Sequence, residues 1–398
     1  MTTTLADTWG VNEQQFWLRG QVPDPVRFDE KTGIWNIYGY PEVLTVLTDP
    51  KTYSSDIRRA LPDGLVPDMD KRTEGNLLQL DPPDHTKLRK LVSHAFTPKV
   101  IADLEPRIAA LTHELLDAAG SEFELVTDLA YPLPVIVIAE LLGVPSSDRH
   151  LFKQWVDKLL ETSTEFSLVE QSDKQKKSME ESLAQQKHLT DYLAGHAAER
   201  RRHPREDLLS KLVEAKVDGE CLSDNEVVNF TNVLLLAGHI TTTMLLGNTV
   251  LSLDAHPEEF ARVRADRSTV PAAIEESLRF LSPFATLARA NIVEVEFGGR
   301  TIPADNLMLV WVAAANRDPR HFENPGVFDP SRKPNAHVAF GRGIHFCIGA
   351  PLARLEGRIA LNILFDRYPT LRTDPARPPE FIPSPNMTGV RKLPLLKA

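Results

Sequence analysis

The stretch Phe340-Gly341-Arg342-Gly343-Ile344-His345-Phe346-Cys347-Ile348-Gly349 presents one cysteine in a loop punctuated by three glycines, directly ahead of a helical pattern. The chain holds two cysteines in 398 residues. Neither a disulfide framework nor a four-cysteine zinc site is therefore the first explanation for Cys347. Glycine reaches φ > 0 and lets the backbone approach another body closely. A cysteine at a helix start has its thiolate favoured by amide donors and by the helix dipole. Together these describe a seat for a soft, electron-rich metal ligand, against the plainer alternative of a structural cysteine in a glycine-rich turn.

The ten residues match F-G-x-G-x-H-x-C-x-G at every specified position, and in this the chain resembles the cytochrome P450 superfamily. The resemblance implies a mainly α fold with a minor β region, in a single domain covering residues 1–398. It implies haem b (iron protoporphyrin IX) as cofactor and Cys347 as the axial ligand of its iron, a thiolate of the kind that favours O–O cleavage. The implied activity is that of a haem-thiolate monooxygenase acting on an apolar small molecule with O2.

Other segments carry the same resemblance. Asp81-Pro82-Pro83-Asp84 opens a helix, HTKLRKLVSHAF, with Leu88, Leu91, Val92 and Ala95 on one face. His85 and Arg89 lie one turn apart and by themselves read as a solvated pair. In the family, DPPxHxxLR sets this His and Arg against the haem propionates. The resemblance adds Arg289, in the strand after Pro283, and His345 as a third and a fourth propionate contact.

Ser223-Asp224-Asn225-Glu226 has capping-box form and launches an apolar helix reaching about Asp254, expected to cross the core. It contains Ala237-Gly238-His239-Ile240-Thr241-Thr242. A glycine inside a helix costs about 1 kcal/mol relative to alanine, so a close approach is expected at Gly238, by a neighbouring helix or by a planar cofactor. The resemblance, to [AG]-G-x-[DE]-T-T, favours the cofactor and makes Thr241 the catalytic hydroxyl beside bound dioxygen. Ile240 departs from that pattern, because isoleucine cannot donate, accept or shuttle a proton. Ordered water or substrate beside Thr241 is then the expected proton source. The alternatives are a peroxide-driven peroxygenase and a non-catalytic haem binder. His239 points about 100° away on a helix and is a poor substitute.

Glu276 and Arg279 match the family's E-x-x-R, which implies a buried pair completed by Arg332. Helices are also expected after Pro41, over 98–143 in two parts, over 147–162, over 174–202 and from about Cys347 to Tyr368. Residues 56–79 and 163–173 read as loop, and short strands as Gly33–Tyr38 and within 284–312, with a turn at Gly298-Gly299.

With 42% hydrophobic residues the chain can bury a large core, and a formal charge of −10 argues against a nucleic-acid partner. The N-terminal twenty residues carry no basic-then-apolar signal. The most apolar stretch, Val233 to Gly247, is interrupted by His239 and threonines and falls short of the ~20 residues of a membrane span. A cytoplasmic protein with no membrane association is expected. No flavin or iron–sulfur sequence is fused to it, which implies a separate ferredoxin and ferredoxin reductase, with Lys87, Lys90, Arg342 and Arg358 as a basic docking patch. By resemblance the substrate cavity is walled by 56–79, 150–190, Val233–Thr242, Phe284–Leu287 and Asn386-Met387-Thr388.

Overall fold

The computed structural model describes residues 3–62, 65, 68–93, 96–148, 150–151, 154–155, 168–169, 173–217 and 219–397. Most of the helix expected over 147–162 and of the loop at 163–173 lies outside these residues, as does Ala95. The architecture is mainly helical with a minor β region, as expected.

Strands β1 (Val26–Asp29), β2 (Ile34–Ile37), β3 (Tyr53–Ser54), β4 (Leu287–Asn291) and β5 (Leu307–Val310) form one sheet in the order β1-β2-β5-β4-β3. Only the β2–β5 pairing is parallel. All four residues of β2 are buried, as a strand paired on both edges and covered on both faces requires. β1 escapes sequence reading because its side chains do not alternate cleanly in exposure. Gly298 and Gly299 both have φ > 0, at +59° and +75°, and close a hairpin as expected of that dipeptide. The 56–79 segment is less irregular than expected, with short helical turns at Ile57–Ala60 and Met69–Thr73.

The helices that position the site are α1 (Tyr40–Thr48), α2 (Asp84–Ser93), α3 (Glu105–Ala118), α4 (Pro132–Leu142), α5 (Asp173–Arg202), α6 (Asp224–Asp254), α7 (Val270–Phe280) and α8 (Ala350–Arg367). The capping box at Ser223 and Glu226 forms with both reciprocal hydrogen bonds. α6 runs 31 residues, and by length and composition it could cross a membrane, so the expectation that its apolar stretch is too short does not hold. Its surroundings decide the matter: α4, α5, α7 and α8 all pack on it, and every residue from Thr242 to Leu253 is buried.

α8 starts at Ala350 rather than at Cys347. It buries Leu352 and Ile359 together with Glu356, Gly357, Ala360, Leu361, Leu364 and Phe365, because α3, α6 and α7 all lie against it. Glu356 Oε2 has no hydrogen-bond partner among the described residues, and burial pushes this carboxyl up to about 8. A raised carboxyl adds stability below its unfolded value of about 4.3 and loses it as pH rises through the folded value. The melting temperature should therefore fall between pH 5 and 9, and Glu356→Gln should flatten that fall; a variant with the parent's slope would refute the assignment.

The E-x-x-R pair is buried as expected, with both side chains fully out of solvent. Arg279 Nε and Nη2 donate to Glu276 at 2.8 and 2.7 Å, and its Nη1 and Nη2 also serve the carbonyls of Asn316, Pro325 and Val327. Glu276 in turn accepts from Asp329 N at 2.8 Å and Asn335 Nδ2 at 3.0 Å, with Arg332 Nε at 3.5 Å. One helical turn thus pins the long irregular segment that leads to Cys347.

Candidate functional site

The cysteine loop is shaped by local backbone needs. Gly341 and Gly343 have φ of +70° and +68°, Gly341 N donates to Val338 O, and Cys347 N donates to Phe340 O at 2.9 Å. A side chain at Gly343 would stand 2.3 Å from Leu47 O, so this glycine lets the loop lie against the end of α1. The Cys347 carbonyl accepts from Ala350 N at 3.4 Å, at the start of α8, which sets the sulphur near the amides of Gly349 and Ala350. Burial pushes the thiol up, while those two amides and the guanidiniums of Arg89 and Arg354 pull it back.

Four predicted residues converge beside it. The His85 and His345 rings lie 4.2 Å apart. Both ring nitrogens of buried His85 lack a hydrogen-bond partner among the described residues. His345 Nε2 lies 2.8 Å from Ser55 Oγ. Arg89 Nη2 donates to Phe346 O at 2.5 Å, and Arg289 Nη1 donates to Ala288 O at 2.7 Å. Burial, then the cations of the cluster, holds His345 down at about 3, and burial brings Arg289 to about 10. His85 is lowered by burial and by Arg89.

The two guanidiniums lower both imidazoles, and no carboxylate among the described residues pairs with Arg89 or Arg289. The nearest acid, Asp81, accepts from Ser54 Oγ and, at 2.9 Å, from Ser55 N. Ser55 and Asp81 were not expected here. Asp81 reads in sequence only as a helix start, and Ser55 carries no signal, since its bond to His345 spans 290 positions.

Thr241 lies on α6. Its Oγ1 donates to Ala237 O at 2.7 Å, and Thr242 and Thr243 bond back one turn in the same way. The helix is buried around most of its surface, yet Val233, Leu236, Ala237, Ile240 and Thr241 are not, which leaves one open stripe along it. A side chain at Gly238 would meet Ile138 at 3.2 Å, so the glycine admits α4, while its backbone stays partly exposed beside the same stripe. His239 turns away from the stripe, its Nδ1 2.7 Å from Leu235 O and its ring edge-on to Tyr131.

The model of the family described as Cytochrome P450 matches residues 14–396. The chain belongs to this family. It is 43% identical over 378 residues to erythromycin C-12 hydroxylase of Saccharopolyspora erythraea, covering 94% of this chain and 92% of that protein. It is 41% identical over 381 residues to cyclomarin C epoxidase CymV of Salinispora arenicola, covering 95% and 94%. The crystal structure of the hydroxylase HmtN, involved in himastatin biosynthesis, superposes with a TM-score of 0.87 at 54% identity over all of both chains. The P450 is accordingly a monooxygenase with haem b as its cofactor.

The residues present fit that cofactor. A cysteine sulphur stands at a helix start near two amides. Beside it are two guanidiniums and two imidazoles that no carboxylate among the described residues pairs with, both nitrogens of His85 being unpartnered there, the complement of a group that bears two carboxylates.

Proposed function

We propose that this P450 is a single domain over residues 1–398 that oxygenates an apolar product of bacterial secondary metabolism, in the cytoplasm, with electrons from a ferredoxin and its reductase. The relatives' names support the substrate class, since they act on a macrolide antibiotic and on cyclomarin C. One arrangement carries the site: Cys347 at the start of α8 with His85, Arg89, Arg289 and His345 gathered beside it and no carboxylate among the described residues paired with either guanidinium.

In this reading Cys347 would ligate the haem iron, and His85, Arg89, Arg289 and His345 would hold its propionates. Arg89 also braces the loop through Phe346 O, so it serves two partners. When bound, the haem supplies dioxygen activation and oxygen-atom transfer. The chain's task on the opposite side is to exclude bulk water and to present a proton. Thr241 gives its own hydroxyl hydrogen to Ala237 O, which leaves its oxygen free to accept from water or from a substrate hydroxyl on the open stripe. Ile240 keeps that stripe apolar.

Of the basic patch suggested for an acidic electron donor, Arg358 is engaged by Glu105 at 2.9 Å.

Protons drawn from water or substrate at Thr241 predict a specific contrast. Thr241→Val should lower product formed per reductant consumed by about a hundredfold, the low end of what a positioned proton-transfer group contributes. Ile240→Glu should leave that ratio within about twofold. A large rise on Ile240→Glu would show instead that the native relay is incomplete, and turnover driven better by peroxide than by the redox chain would favour the peroxygenase.

A further inference from the structure

We propose that Gln15, far from the cysteine loop in sequence, is a positioning residue that sets the substrate-facing wall formed by Phe284 and Met387 and thereby the size of molecule that reaches the haem. The inference rests on the haem-thiolate reading of the site.

Gln15 is 1% exposed, and its amide is used at both ends. Nε2 stands 2.9 Å from Met387 O, 3.1 Å from Ser384 O and 3.3 Å from Pro385 O, while Oε1 accepts from Thr388 Oγ1 at 2.9 Å. The turn 384–388 is thus wrapped around one side chain. Its other side is bound to the core helix. Asn248 Nδ2 on α6 donates to Thr388 O at 2.8 Å and to Leu281 O at 2.9 Å, and a side chain at Gly389 would lie 2.2 Å from Met244, three residues beyond Thr241.

Phe284 pairs with Met387 through a single isolated bridge, supported by Ala285 N donating to Asn386 O and Thr388 N to Pro283 O. No longer ladder holds these two segments together, so side-chain amides take over the work that strand pairing does elsewhere. Phe284 itself remains 38% exposed, an apolar ring left uncovered at the edge of this wall. Ala285, beside it, packs in the same cluster as Trp17, two residues after Gln15. The N-terminal segment therefore braces the turn that carries Met387. With the amide gone, three carbonyls and a hydroxyl lose their partner in a dry interior, and the turn carrying Met387 must shift to recover hydrogen bonds.

The test compares holoenzymes of the parent, Gln15→Leu and Thr388→Val. Each is titrated with imidazole and with 4-phenylimidazole, two ring-nitrogen probes of the iron that differ only in the bulk that must pass the wall, and binding is followed by the Soret shift. We expect the ratio of the two dissociation constants to change by about tenfold in Gln15→Leu, the scale of leaving one or two buried carbonyls unpaired. Thr388→Val, which deletes one hydrogen bond and nearly keeps its shape, should move the ratio in the same direction by about threefold. A merely structural role would lower the melting temperature and leave the ratio alone. A ratio within twofold of the parent in Thr388→Val, with the thiolate-type ferrous carbonyl band retained, overturns the proposal even if Gln15→Leu fails to fold. A parent enzyme that lacks that band overturns the haem-thiolate reading instead.

Discussion

Cys347→Ser will lose the ferrous carbonyl band typical of thiolate haem, and its oxygenation rate will fall by about a thousandfold or more, equivalent to ~4 kcal/mol of barrier. The reason is electronic. A serine hydroxyl at this position stays protonated and neutral, so the amides of Gly349 and Ala350 and the guanidiniums of Arg89 and Arg354, which favour a thiolate here, would face no anion. The loop itself should survive, because its shape depends on Gly341, Gly343 and the Cys347 N to Phe340 O bond rather than on sulphur. A serine variant that kept the parent's carbonyl band would refute Cys347 as the ligand.

The second large effect lies away from the sulphur. Arg279→Ala strands the Glu276 carboxylate in a fully buried position and removes the donor from the carbonyls of Asn316, Pro325 and Val327. Breaking a buried pair from one side costs about 3–5 kcal/mol. Such a loss is a large part of the stability of an ordinary domain. The expected outcome is protein recovered mostly without haem, because the segment from Asn316 to Asn335 that Arg279 and Glu276 hold is the one that delivers the cysteine loop. Arg279→Lys should not rescue it, since one ammonium cannot reproduce the fork that serves a carboxylate and three carbonyls together. Full haem loading and a melting temperature within about 2 °C of the parent would show that the clamp is dispensable.

The cysteine seat and the capped helix at Ser223 were legible in sequence because each is local, a glycine spacing and a four-residue cap, whereas the burial of the Glu276–Arg279 pair was legible only through resemblance, its i,i+3 spacing fitting a surface pair as well. The convergence of His85, Arg89, Arg289 and His345 was legible only through resemblance, since nothing in their spacing brings residues two hundred positions apart together. Ser55 escaped for the same reason, as did Gln15, whose partners lie about 370 positions away. A glycine in a helix announces a close approach without saying by what, and at Gly238 the structure shows one such neighbour, Ile138.

The sequence by itself determined the chemistry available: one thiol in a glycine-shaped loop, a core helix carrying Thr241 and no acid at 240, and few strands among many helices. Tertiary structure alone decided what that chemistry faces. It walled an α6 long enough to span a membrane with four helices, took Asp81 out of the cationic cluster by giving it Ser54 and Ser55, and tied the turn at 384–388 to a glutamine from the N-terminus. Backbone propensity and capping act over a few residues and can be read along the chain. Burial, and the partner each polar group finds once water is gone, depends on packing between distant segments and appears only when they meet.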